Sequence, residues 1–495
     1  MPRTVGLWPG ALAFIAPALS AVAVVGGCAV GPDFHRPAAP RTDRYTAQPL
    51  PQPDPQAEVT QQHFVPGANP VAAWWKSFGS NDIDTLVEQA LRANPTISAA
   101  QANLRQSLES VAAQRGAYFP TAQAQASATR NRDAVQVLSP TLTSGASSYS
   151  LYTPQLTVAF VPDLFGGNRR QVESLQALAD VSRDQYDAAY LTLIANVVSA
   201  AIQEAGLRAQ IDAARQSIAL ERETLQVMQA QLALGAIGES DVLAQDAALA
   251  QIEATLPPLQ KALDQQHDLL AMLTGRLPAD MPELTLRLDQ LELPGEIPIG
   301  VPSNLVERRP DVRAAEAQLH AATAAVGVTI ANMQPQITLS GAIGNVATQT
   351  GQLFSGMNEF WTVGASLSQT LFAGGTLYHR QRAARAGVDL AGAEYRLAVL
   401  TAFQNVADAL RALTADADAV RTQQRAFEAS TRSLAIAREQ FSLGAVSYLA
   451  LLNAQQSLQQ ATTGRAQALM NRYADTVALY QALGGAAPQD LQKSP

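Results

Sequence analysis

The feature that most constrains this chain is a phrase that occurs twice. Residues 231–249 read QLALGAIGESDVLAQDAAL, and residues 440–458 read QFSLGAVSYLALLNAQQSL. A shift of 209 superposes Gln231 on Gln440, Leu234-Gly235-Ala236 on Leu443-Gly444-Ala445, Leu243 on Leu452 and Leu249 on Leu458. Two copies of one design override the several domains that 495 residues alone would suggest. A second match supports them: LVEQALRANPTISAAQANL (86–104) aligns with LVERRPDVRAAEAQL (305–319), Pro95 onto Pro310. In both, a proline opens an Ala-rich helix and another, 25 residues on (Pro120, Pro335), closes it. Proline's fixed φ and missing N–H favour the first turn and exclude the interior.

Between these landmarks the period changes. TAQAQASAT (121–129) places Ala122, Ala124, Ala126 and Ala128 on one face, with polar residues opposite. TVGASLSQTL (362–371) separates Val363, Ala365, Leu367 and Leu371 from Thr362, Ser366, Ser368 and Thr370. Period two means strands, and 148–160 and 336–344 supply a partner for each. Polar loops near 130–147 and 345–360 join them, and Leu-Phe with glycines follows each pair. Two proline-free runs, about 169–234 and 376–443, then predict helices of roughly 100 Å each. The Leu-Gly-Ala phrases end them, and returning helices span about 239–275 and 448–483, the first kinked at LPPL (256–259). Asn81 or Asp82 is the expected cap where organised structure begins.

The N-terminus has Arg3, then an apolar or small run to Gly27, then Cys28. This is the pattern of an export signal. Cys28 is the only cysteine, so no intramolecular disulfide can form, and its setting resembles a bacterial lipobox. That implies cleavage before Cys28 and acylation of it, with the outer membrane of a Gram-negative bacterium as destination. Several acyl chains, at about 0.8 kcal/mol per buried methylene, would hold it there. The expected division is a signal peptide (1–27), a lipid-anchored extended segment rich in proline (28–83), a first repeat (84–299), a second (300–484) and a tail (485–495).

Four strands per chain cannot close a barrel, and a small open sheet leaves bare edges. Twelve strands from three chains can close and span lipid with every backbone bond paired. No run after residue 28 reads as a transmembrane helix; 189–202 comes nearest, interrupted by Thr192, Asn196 and Ser199. Long antiparallel helices could continue the barrel as a tunnel. A fibrous coiled coil, the competing reading, leaves the matched strand pairs unexplained.

Together CAVGPDFHRP (28–37), PDLFGGNRR (162–170), LVERRPDVRAAEAQL, QTLFAGGTL (369–377) and SLGAVSYLALLNAQQSL (442–458) resemble the outer-membrane factor family, the exit ducts of tripartite multidrug efflux systems. The lipoprotein start and ERRPDV most resemble the branch serving resistance-nodulation-division pumps. The resemblance implies a mixed, mainly α fold. A homotrimer shares a twelve-stranded transmembrane β-barrel, four strands per chain, above a long periplasmic α-helical barrel. A periplasmic adaptor would open this duct and couple it to an inner-membrane pump. A duct for metal efflux or type I secretion is the alternative. A periplasmic adaptor fits less well, having one hairpin between lipoyl-like halves. One departure is Phe160-Val161, where relatives commonly carry Trp-Glu.

The chain offers nothing to an enzyme. His35, His63, His267, His320 and His379 make no HExxH pair, and no phosphate-loop or dinucleotide fingerprint occurs. No cofactor is expected, and a net charge of −8 argues against nucleic acid. Arg308 and Arg309 in ERRPDVR are expected in solvent or in ion pairs between chains, and NRR (168–170) at a strand-to-helix junction. By resemblance, the periplasmic gate maps onto Leu449, with Asn453 where relatives carry aspartate, and onto Asp241 at the first tip. The turns Leu234-Gly235-Ala236 and Leu443-Gly444-Ala445 are candidates for docking the adaptor.

Overall fold

The computed structural model describes residues 29–40, 42, 44–47, 62–68, 70–132 and 148–485. Cys28 and the signal segment lie outside them, as do 133–147 and the tail from 486. In order, the elements are β1 (His63–Pro66), α1 (Asn81–Ala93), α2 (Pro95–Arg115), β2 (Thr121–Arg132), β3 (Ser148–Phe160), α3 (Gly167–Ala233), α4 (Glu239–Glu253) and α5 (Leu256–Leu273). They continue with β4 (Glu296–Ile299), α6 (Pro302–Arg308), α7 (Pro310–Ala331), β5 (Gln336–Asn345), β6 (Glu359–Ser368), α8 (Thr376–Ser442) and α9 (Tyr448–Ala482). The fold is mainly helical. A helix, two strands, a 67-residue helix, a turn and a return occur in that order twice.

The chain divides into two compact units. One comprises Met1–Arg36, Arg105–Val181 and Glu316–Glu394; it holds the four-stranded sheet, ordered β2-β3-β5-β6 and antiparallel throughout. β6 stops at Ser368 rather than continuing to 371. Its partner begins at Gln336, so Ser368 pairs with the last residue β5 has to offer. At the junction between β3 and α3, the Asp163 carboxylate accepts from the N–H groups of Asn168 (3.0 Å) and Arg169 (2.8 Å), two of the unpaired donors that any helix start exposes. In the same unit, residues 29–36 are riveted down. Val30 N–H bonds Phe165 O, and Arg170 holds Asp33 at 2.6 Å and Glu173 at 2.8 Å. Phe34 stacks on His320, itself 2.9 Å from Glu173. Arg170 holds the Asp33 carboxyl below its ordinary value. NRR thus does support the junction.

The other unit comprises Pro37–Leu104, Ser182–Ala315 and Tyr395–Pro495. Its main core joins Trp74, Phe78, Ile83, Val87, Ile194, Val198, Ile202, Leu270 and Val477. The stretch of α3 around residues 189–202 differs from the sequence reading. α3 does contain a window long and apolar enough to cross a membrane, and 61% of it is buried inside the structure, which makes it core. α1 is capped by Ser80, whose Oγ accepts from Ile83 N–H, one residue before the expected Asn81 or Asp82. At LPPL the helix is interrupted at Ala254 and Thr255, which both keep right-handed helical dihedrals, as the expected kink requires.

Two further findings depart from expectation in this unit. The tether segment contains β1, which pairs in parallel with β4, His63 opposite Glu296, and places Phe64 against the cluster of Ile297 and Ile299. Arg309 is buried, with its ion pair inside the chain rather than in solvent. It forms a two-pronged pair with Asp311 at 3.0 and 2.6 Å and donates to Ala482 O, a carbonyl in the last turn of α9. Arg308 is exposed, as read.

Candidate functional site

Two features are candidates for function, one in each unit. The first is the sheet. Its register aligns Ala124 with Leu156, Leu156 with Ile343 and Ile343 with Trp361; the next row aligns Ala122, Val158, Gly341 and Val363. Paired residues share a face, so the Ala stripe of β2 and the apolar stripe of β6 merge into one apolar surface across four strands. Gln123, Thr157, Ala342 and Thr362 line the opposite face. The apolar face is uncovered: Trp361 is 74% exposed, Val363 80% and Leu367 70%. Within the described residues β2 and β6 each pair on one side only, leaving an open-edged amphipathic sheet.

The second is the pair of helical tips. At the end of α3, Gly235 N–H bonds Leu232 O and Ala236 N–H bonds Gln231 O, both at 2.9 Å. At the end of α8, Gly444 N–H bonds Phe441 O (3.0 Å) and Ala445 N–H bonds Gln440 O (2.8 Å). Both are Schellman motifs, which need a left-handed residue, and Gly235 and Gly444 both have φ of 71°. Each turn presents one bare leucine, Leu234 at 85% exposure and Leu443 at 77%. The repeated Leu-Gly-Ala is therefore one local solution used twice: glycine takes the φ, and leucine is left outside.

Of the sequence-predicted gate residues, Leu449 and Asn453 come together, one turn apart on the exposed side of α9. Leu451, Ala454 and Gln455 fill its buried side, against Leu434 and Leu220. Asp241 sits half-buried in the first turn of α4, where its charge acts on the Tyr448 hydroxyl.

Sequence reasoning missed the polar chain beneath this tip. The Tyr448 hydroxyl donates to Gln245 Oε1 at 2.5 Å. Gln245 Nε2 donates to Glu221 Oε2 at 2.5 Å and to Glu221 O at 3.0 Å. Gln245 is 0% exposed and Glu221 is buried too. Burial pushes the Glu221 carboxyl above its ordinary value, opposed by the Gln245 bond and the charge of Arg438. Burial also raises the Tyr448 phenol. One signal was available in the sequence: Gln245 is the polar member of the otherwise apolar stripe Gln245, Ala248, Leu249 and Ile252. Such a residue needs partners if it is buried.

The chain was compared with known proteins. The profile of the outer membrane efflux protein family matches residues 86–276 and 301–485. The pyoverdine export outer membrane protein OpmQ of Pseudomonas putida is 30% identical over 426 residues, covering 84% of this chain and 89% of OpmQ. Among solved structures, the outer-membrane channel OprN superposes with a TM-score of 0.83 at 31% identity, over 93% of this chain and 99% of OprN. The open state of the MtrE outer membrane channel of Neisseria gonorrhoeae gives 0.79 at 25% identity, over 92% and 98%.

Proposed function

The chain belongs to the outer membrane efflux protein family, and on that premise we propose that it is the outer-membrane duct of a tripartite efflux system, a passive exit for drugs or other small molecules. Three copies join their four-stranded sheets edge to edge into a twelve-stranded barrel, apolar face to lipid and Ser/Thr/Gln face to the lumen. The helices continue it as a periplasmic tunnel. Each chain is two repeats, 84–299 and 300–484, between a segment anchored through lipid on Cys28 and a short tail. A periplasmic adaptor docks on the turns Leu234-Gly235-Ala236 and Leu443-Gly444-Ala445 and opens the duct, and an inner-membrane pump supplies the energy.

The observation that carries this reading is the sheet. An amphipathic sheet with a bare apolar face and two unpaired edges is stable neither in water nor in lipid. Closure with two further copies removes the edges, and lipid covers the face.

The gate follows from threefold repetition. Side chains near the axis become rings, and Leu449 and Asn453 line the mouth with an apolar and a neutral polar ring in place of a charged one. Asp241 helps latch the first tip to its neighbour. Single-channel recordings of the purified trimer, with and without Asn453→Asp, test this. Three added carboxylates raise cation selectivity. Unchanged selectivity removes Asn453 from the pore, and absence of conductance altogether removes the duct.

A further inference from the structure

We propose that Gln245 is the positioning residue of the tunnel mouth: held between Tyr448 and Glu221, it sets the rotation of α9 and so where Leu449 and Asn453 point. The inference rests on the reading of those two residues as a gate, and goes beyond it by naming what aims them.

The argument begins with what fixes a helix in rotation. The buried side of α9 near the tip is Leu451 and Ala454 against Leu434 and Leu220. Small and aliphatic contacts of this kind are non-directional, and a helix can swivel on them at little cost. Hydrogen bonds are directional. α9 has two on this side: Tyr448 to Gln245 on α4, and, seven residues on, Gln455 Nε2 to Thr224 Oγ1 on α3 at 3.1 Å. At about 100° per residue these two anchors fall on nearly the same side, while Leu449 lies roughly 100–120° and Asn453 roughly 140–160° around the helix from them. The anchors therefore aim the exposed pair.

The amide at position 245 is matched to both neighbours. Its oxygen accepts from a phenol and its nitrogen donates to a carboxylate, and no aliphatic or acidic side chain does both at neutral pH. Its bond to Glu221 is charge-assisted, so the chain is anchored at its strong end on α3, inside the first hairpin. The device is also one-sided. The shift of 209 that superposes the two tips places Ala454 where the first copy has Gln245. At this matched pair of positions each chain thus has one amide and one alanine, and the amide ties α4 of the first tip to α9, the helix that carries the gate. The charged groups around it are Arg438, whose charge acts on Glu221, and Asp241, whose charge acts on Tyr448.

The test reads rotation directly. Asn453→Cys is introduced into the full-length trimer in membranes, and its labelling by a membrane-impermeant thiol reagent is timed; the parent protein, whose one cysteine is Cys28, gives the background. Adding Tyr448→Phe or Gln245→Leu should change the labelling rate about tenfold in the same direction, and combining them should add little. Gln245→Glu alone should also change it. The exchange of Glu221→Gln with Gln245→Glu rebuilds a donor facing an acceptor and should restore the rate to within about threefold. Tyr448→Phe removes a single oxygen and leaves packing intact, so it carries the test if Gln245→Leu does not assemble. Rates unchanged by Tyr448→Phe in folded trimers overturn the proposal. If rates respond while Asn453→Asp leaves ion selectivity unchanged, the positioning role stands and the gate reading falls.

Discussion

If the sheet forms the proposed lipid-facing barrel, Val363→Arg should destabilise it in a way that depends on depth. β6 has ten residues, which at about 3.3 Å each span roughly 33 Å, or about 25 Å of membrane height at a tilt near 40°. That equals the apolar band of an outer-membrane barrel. Val363 is the fifth of the ten and sits near the midplane, where an arginine on the lipid face costs about 2–4 kcal/mol. Leu367 is the ninth, close to a boundary, and Leu367→Arg should cost about 1 kcal/mol. Thr362, adjacent in sequence, belongs to the opposite face, and Thr362→Arg should leave the lipid contribution unchanged. A cost of about 3 kcal/mol per chain is roughly a hundredfold in the folding equilibrium and would be repeated in each subunit of the proposed trimer. Urea titration of the protein in lipid vesicles, read by the heat-modifiable shift of folded barrels on gels, would rank the variants. The order Val363 above Leu367 above Thr362 is expected. Equal effects at 362 and 363, or the largest effect at 362, would refute the assignment of the apolar face to lipid.

Three further outcomes follow from particular contacts. Gly275→Ala should cost about 2–4 kcal/mol and Gly444→Ala about 1, by thermal melting of helical signal. Both glycines have φ of 71°, but a Cβ at 275 would meet Ala93 O at 2.5 Å, whereas one at 444 meets nothing. Arg309→Met should cost about 1–2 kcal/mol in the same assay, because it strands the buried Ala482 O, while the exposed Asp311 carboxylate is rehydrated. Asp416 has its carboxyl pushed up to about 7 by burial, then by the hydrogen bond and charge of Asp475, against the pull of Arg472. The folded state therefore keeps a proton that the unfolded chain releases near pH 4, and stability falls as pH rises from about 4 to about 7, then levels. Asp416→Asn should flatten that fall and add about 1–2 kcal/mol at pH 8, discounted for partial exposure; an unchanged pH profile would show that the pair does not titrate.

Local signals were legible in the sequence, and bonds between distant segments were not. The 67-residue helices were bracketed because proline is absent inside them and glycine marks their ends. The strands were found by alternation, and the three-residue overrun at β6 arose because a strand's end is set by its partner. β1 offers only four residues, too few for a period, and exists because β4 lies beside it. Arg309 looked like surface charge because its acceptor, Ala482 O, is 173 residues away. The proposed gate residues came from likeness alone. The chain beneath them, Tyr448–Gln245–Glu221, spans 203 positions between its first pair and could not be found by spacing. In the first repeat Gln245 gave a faint sign as a misplaced polar residue; Tyr448 gave none.

The two tips share a backbone turn and a bare leucine, and they also share one polar brace, which sets a rule for counting. In the proposed trimer a partner that reads only the turns meets six equivalent handles. Within each chain those handles come in tied pairs, because the bond from Tyr448 to Gln245 joins the return helix of the second tip to that of the first. A ring of six identical adaptor subunits could grip every handle, yet its members would meet three coupled pairs. A pull on one tip of a pair would be felt at the other through that hydrogen bond, while tips of different chains would answer separately.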